Sequence, residues 1–427
     1  MSDLSRRDFS ATLAASLLGA AMPPLAAADE RHAPGPRPAA AGRAAPQPIT
    51  AEERAQRVEK ARRLMRENGL GAILLEPGTS MSYFAGVRWG LSERPFLLVL
   101  PARGEPAWVC PAFEEARARE LTGEQADVRV WQEDESPYRQ VARILADRGM
   151  KTGKLGVEER VRFFIADGVR LAAPGVQVVS ADAVTAGCRM FKSPAELALL
   201  QAANDVTVGA FREVLPKLKE GMAPEEVSGL FGAAHRKLGG SNPWALVLFG
   251  EASAFPHGTT KPRLLREGDT VLMDIGCSVE GYQSDVTRTV VFGAPTARQR
   301  EIWALEQRAQ NAAAAAVRVG NTCDAVDRAA RGVIEAAGFG PGYKLPGLPH
   351  RTGHGIGMDG HEWTNFVKGN MTRLQPGMCF SDEPTIAIYG EFGVRFEDCL
   401  VVTENGPRFF TDLSVGIQEP FPGMKVG

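Results

Sequence analysis

Val271–Phe292, VLMDIGCSVEGYQSDVTRTVVF, decides how this chain is read. Two apolar, β-branched runs flank Ser278-Val279-Glu280-Gly281, and that pattern predicts a β-hairpin. Asp274 and Asp285 lie equally far from the expected turn, so the pattern sets them opposite each other on the ladder. Opposed side chains there are roughly 4.5–5.5 Å apart at Cβ. Two like charges in an apolar hairpin are costly unless a cation sits between them. A divalent metal meets that need.

Cys379–Val402, CFSDEPTIAIYGEFGVRFEDCLVV, repeats the theme. Two strand-like runs flank Gly390 and Gly393, with Glu383 and Glu397 equidistant from the turn. Between the two hairpins, LPHRTGHGIGMDGHE holds His350, His354 and His361, three of the six histidines in the chain. Two Asp, two Glu and one His form an oxygen-rich set with one imidazole. Such a set suits manganese, iron, cobalt or zinc better than a thiolate site does.

A chain of 427 residues exceeds what one core usually holds, which points to two domains. The net charge of −2, with acids and bases interspersed, argues against nucleic acid or a membrane surface as partner. No late run of ~20 apolar residues could span a bilayer. Ser5-Arg6-Arg7-Asp8-Phe9, a mildly apolar Ala-rich run and Ala26-Ala27-Ala28 resemble a twin-arginine export signal over residues 1–28. The expected location is the periplasm. Residues 29–49, rich in Ala, Pro and Arg, read as a flexible spacer. An exported protein with six cysteines invites disulfides. However, Cys277, Cys379 and Cys399 fall inside predicted strands and read as buried small hydrophobes.

Residues 50–188 read as an α/β domain. A helix is expected over residues 51–68, with Val58, Ala61, Leu64 and Met65 at helical spacing and Gly69 closing it. Short strands follow at 71–75, 95–100, 106–110 and 154–157, with helices at 113–121 and 137–148. Helices alternating with strands imply a covered, mixed sheet. No phosphate loop, dinucleotide fingerprint or nucleophile elbow appears there. Residues 189–427 form the second domain. Ser193-Pro194-Ala195-Glu196 is a capping box opening a helix to about Lys219, and a second helix covers 224–238. Thr296–Gln299 opens another long helix, and one more ends at Gly338. The order helix, helix, strands, acidic hairpin thus occurs twice, about 100 residues apart, as a duplicated unit closing on one site would. His257-Gly258 precedes the first hairpin as the histidine cluster precedes the second.

MDIG, SDVTRT, HRTGHGIG, DEP and VRFED together resemble the metallopeptidases of the pita-bread fold, closest to the proline-specific prolidases and aminopeptidases P. SYFAGVRWGLSERPFLLVL resembles their creatinase-like amino-terminal domain. The resemblance implies an α/β creatinase-like domain followed by an α+β pita-bread domain. It implies an Xaa-Pro peptidase with two divalent ions, manganese foremost, sharing a bridging water that becomes the attacking hydroxide. Asp285 and Glu397 would bridge the ions, Asp274 would hold one, and His354 and Glu383 the other. His257 would steady the reacting group, and His361 would donate to the oxyanion. His350 and Arg395 would bind the substrate. By the same resemblance the enzyme is a homodimer in which Trp89 approaches the His350 and Arg395 region of a second copy. The alternatives are a creatinase-like hydrolase or sulfonium-compound lyase of the same fold, or a non-catalytic binding module. Creatinase does not keep the full ligand set, and all five positions are kept here. Two departures stand out: DEP in place of TEP, which adds Asp382 beside Glu383, and MDGHE in place of the VHE pattern around His361.

Overall fold

A computed structural model describes residues 46–426. The twin-arginine reading, and most of the spacer, lie outside them. Thr50 caps the first helix, Ala51–Glu67, by accepting the Glu53 amide on its hydroxyl. The first domain is built on a six-stranded sheet ordered Asp127–Trp131, Ala107–Pro111, Leu97–Pro101, Ala72–Leu75, Gly153–Val157, Val176–Ser180. Leu97–Pro101 runs antiparallel to both its neighbours and the other pairings are parallel, so the sheet is mixed as the pattern requires. Alternate residues of one strand enter different cores. Ile73 and Leu75 pack beneath Ala51–Glu67, whereas Ala72 and Leu74 pack with Val141 and Ile144 on the other face. A strand buried on both sides shows no polar alternation, which is why these segments read as short apolar runs.

Strands Asp127–Trp131 and Val176–Ser180 and helices Thr79–Ala85, Phe163–Ala172 and Asp182–Arg189 are additions to the sequence-based expectation. The two strands carry charged or polar residues at half-exposed edge positions, and this blurs their pattern. Both capping boxes form as expected, at Ser193 and Thr296. The helix opened at Ser193 ends at Val214 rather than Lys219, because Pro216 lies within a tighter turn at Leu215–Lys217.

The second domain consists of two half-units. In the first, helices Pro194–Val214 and Pro224–Lys237 cover strands Ser241–Phe249, Thr270–Val279 and Val286–Val291. In the second, Ala297–Ala316 and Cys323–Ala336 cover a five-stranded sheet and the ribbon Thr385–Ile388/Phe392–Arg395. The halves are stitched where Thr287 and Glu397 exchange backbone hydrogen bonds (3.2 and 3.1 Å). The Thr289 hydroxyl adds a bond to the Arg395 carbonyl (2.8 Å). All six cysteines are buried and free. Among the described residues no helix is long and apolar enough to cross a membrane.

Candidate metal centre

The first acidic hairpin turns one residue later than its sequence indicates. Glu280 and Gly281, both at positive φ (49° and 86°), form the turn, and Val279 pairs with Tyr282. Asp274 therefore faces Thr287, not Asp285. Extending that register sets Asp285 across from Gly276, diagonal to Asp274 and on the same face. A Cβ at Gly276 would lie 2.1 Å from the Ser284 carbonyl oxygen, so only glycine fits opposite the bend that carries Asp285. In the second hairpin the expected symmetry holds. Asp382 pairs with Asp398 and Thr385 with Arg395 in a common register, which sets Glu383 opposite Glu397 in the gap between the two ladders.

These turns bring the five expected ligands together. Asp274, Asp285 and Glu397 offer oxygens within 4.8 Å of one another, and so do His354, Glu383 and Glu397 with one atom each. Asp285, His354 and His361 form a third such group. His354 Nε2 lies 3.2 Å from Glu383, 3.6 Å from Glu397 and 3.7 Å from Asp285. Its Nδ1 donates to the Gly355 carbonyl (3.0 Å), which leaves Nε2 for the site.

The buried carboxylates oppose one another's charge. Burial, Glu397 and Asp274 push the Asp285 carboxyl well above its ordinary range. Burial and Glu397 push Glu383 to about 8. Burial also raises Asp274, against the pull of Arg395. Burial acts upward on Glu397 too, but His354 and Arg395 outweigh it and hold this carboxyl low. Asp274 Oδ1, Asp285 Oδ1 and Glu397 Oε1 are buried without a hydrogen-bond partner. Orphaned oxygens from three acids converging with one imidazole nitrogen fit divalent metal ions.

The remaining expected residues divide. His361 comes to the centre, its ring 4.0 Å from that of His354, and Arg351 donates to its Nδ1 (3.0 Å). Although its side chain stands exposed at the edge of the centre, partial desolvation there, with His354 and Arg351, lowers its pKa to about 4. His350 is likewise lowered to about 4, by burial and Arg395. Its Nδ1 donates to the Arg351 carbonyl (2.6 Å) and its Nε2 accepts from Thr385 (3.0 Å). His257 is exposed, and it acts weakly on both His350 and His361 through space. Arg395 is buried against Asp274 (2.5 Å) and the Pro256 carbonyl (3.0 Å). Trp89 is not brought to the site within this chain. It stacks on Phe96 at 4.1 Å with Arg117 over its ring, in its own domain. Asp382 is fully buried, its oxygens unpartnered, and burial with Asp398 and Glu383 raises it well above the usual range.

Thr287, inside the SDVTRT run, is a residue that the sequence pattern did not single out. Its hydroxyl donates to Glu397 Oε2 (2.9 Å) and so orients that carboxylate. The signal was its alternation with Asp285 on one strand face.

Comparison with known proteins agrees with this geometry. Residues 198–404 match the model for metallopeptidase family M24, and residues 57–191 match that for the creatinase/prolidase N-terminal domain. The chain is 36% identical over 361 residues to the probable dipeptidase PepE of Mycobacterium tuberculosis, covering 83% of this chain and 94% of that one. It is 33% identical to the Xaa-Pro dipeptidase of Lactobacillus delbrueckii subsp. lactis, covering 84% and 97%. The crystal structure of dipeptidase PepE from Mycobacterium ulcerans superposes with a TM-score of 0.79 at 35% identity, over 85% of this chain and 97% of that one. The chain therefore belongs to metallopeptidase family M24, with the creatinase/prolidase type of amino-terminal domain.

Proposed function

We propose that this enzyme hydrolyses the peptide bond preceding proline, with two divalent ions held by Asp274, Asp285, His354, Glu383 and Glu397. One observation carries the reading: Asp285, His354 and Glu397 each belong to two of the three close ligand groups, and of these only the two carboxylates carry a pair of oxygens that two ions could share. When bound, the ions supply a water of lowered pKa and a Lewis acid for the scissile carbonyl. Manganese comes first among the candidate metals because four carboxylates and one imidazole form a hard donor set.

The protein's own groups then act around that centre. Arg351 donates to His361 Nδ1, so neutral His361 carries its proton on Nε2 and can give it in a hydrogen bond to the developing oxyanion. Thr287 holds Glu397 in place. Arg395, pinned on Asp274, and His350, pinned on Thr385, line the side where a substrate end would dock. Proline is selected by shape, since it brings a compact apolar ring and no amide N–H at the scissile bond. Assembly as a homodimer with Trp89 near a second copy's site, and export to the periplasm, belong to the same proposal.

The test pairs Gly-Pro with Gly-Ala after exhaustive chelation and stepwise metal return. Activity should need about two ions per chain and should strongly favour Gly-Pro. Full turnover in metal-free protein would remove the mechanism, and equal rates on both dipeptides would remove the proline specificity.

A further inference from the structure

The loop Gly357–Glu362 carries His361, and its anchors come mostly from outside the second domain's sheets. Asp359 accepts from the Thr79 hydroxyl (2.6 Å) and pairs with Arg160 (3.1 Å) and Arg189 (2.5 Å). Glu362 pairs with the same Arg189 (2.5 Å) and with Lys192 (3.0 Å). Across the loop, Glu362 also accepts the Met358 and Asp359 amides (2.9 and 3.1 Å). Trp363 donates its indole N–H to Glu159 (3.0 Å). The side chains of Arg189, Lys192 and Glu362 are 11%, 2% and 4% exposed, so these contacts are little screened. A Cβ at Gly357 would lie 2.6 Å from the Glu362 carboxylate, so the loop closes on that group.

Arg189 ends helix Asp182–Arg189, which packs on the first helix of the first domain. Its guanidinium bridges two carboxylates of the loop, and Glu362 is bonded directly to the residue that acts at the metal centre. We propose that Arg189 is a positioning residue: working through Glu362 from the end of a helix that packs on the first domain, it sets where His361 stands over the metal centre. This rests on the reading of His361 as oxyanion donor. The junction between the two domains thereby bears on the chemistry in the second, and Thr79, Arg160 and Glu159 of the first domain hold the same loop. The departure MDGHE has the same explanation, because Asp359 supplies the second carboxylate that Arg189 grips.

The test compares Arg189→Met, Arg189→Lys, Glu362→Gln, His361→Ala and the double variant Arg189→Met/His361→Ala. Read out are kcat and KM on Gly-Pro, metal content, and amide exchange of residues 357–362 in metal-free protein. Arg189→Met should lower kcat about 10- to 100-fold, as loss of an outer-shell contact typically does. Metal content should stay unchanged and KM nearly so. The Met358 and Asp359 amides should exchange faster in both Arg189→Met and Glu362→Gln. Arg189→Lys, which can reach one carboxylate, should recover part of the loss. In the His361→Ala background Arg189→Met should change kcat less than about twofold, since coupled residues are not additive. Wild-type kcat in Arg189→Met alongside a large loss in His361→Ala would overturn the proposal, and so would an undiminished further loss in the double variant. If His361→Ala keeps full kcat, the donor reading itself fails. The exchange of the loop amides then decides alone whether Arg189 holds the loop.

Discussion

Arg288 offers the sharpest test of how the centre is held from behind. Both Arg288 and its partner Asp398 are 0% exposed, and the guanidinium contacts the carboxylate at 2.7 and 3.2 Å. Arg288 also donates to the carbonyls of Thr287 and Glu397 (2.9 and 3.1 Å), Asp412 (2.7 Å) and Pro420 (2.9 Å), and lies over the Phe421 ring. Even so, burial raises the Asp398 carboxyl more than Arg288, Thr411 and Gln310 lower it. Desolvation thus outweighs the stabilising contacts at Asp398, and removing one member of the pair leaves the other charge stranded. Arg288→Met should cost about 3–5 kcal/mol of unfolding free energy. Adding Asp398→Asn removes the stranded charge, so the double variant should fall short of additivity by about 2 kcal/mol. The assay is urea unfolding of chelated protein, which keeps metal linkage out of the comparison, with all three variants on one double-mutant cycle. Single losses below about 1 kcal/mol, or additivity to within ~0.5 kcal/mol, would refute the argument.

Two further predictions concern charge. Asp285→Asn or Glu397→Gln removes an oxygen donor common to two ligand groups, so each should abolish activity and metal retention, whereas exposed Glu120 should tolerate Gln; metal analysis of the purified variants decides. Glu362 concerns acid stability. Burial pushes its carboxyl up, but Lys192 and Arg189 outweigh that and hold it at about 2, below the ordinary 4.5. A depressed carboxyl stabilises the fold fully above 4.5, and the contribution is lost as pH falls from there towards 2. Its size is about 3 kcal/mol by linkage. Wild type should therefore exceed Glu362→Gln in stability at pH 7, and the gap should narrow between pH 4.5 and 2.5. A constant gap across that range would contradict the ion pairing.

The sequence was most readable where structure is local. Glu383 and Glu397 could be paired because each counts equally from one turn, and the turn falls where Gly390 indicates. The same counting failed for Asp274 and Asp285 because the backbone at Glu280 and Gly281 adopts positive φ, and moving a turn by one residue moves the partner by two. Arg288 was invisible for a related reason. Alternation sends Thr287 and Thr289 to the site, and an arginine between them reads as solvent-facing, yet carbonyls 124 and 132 residues further on receive it. The contacts of Arg189 with Asp359 and Glu362 span 170 and 173 residues, and nothing periodic links such positions.

Asp412, Pro420 and Phe421 meet Arg288 behind the candidate metal centre, and this has a consequence for the order in which the enzyme is made. Synthesis delivers Asp274 and Asp285 early, Glu397 late, and the segment that seats Arg288 later still. A nascent chain halted before Phe421 would own every ligand and still lack the backing that aligns them. Alignment of these groups must then await synthesis of that segment, and a product truncated before it should be an inert protein, not a slow enzyme.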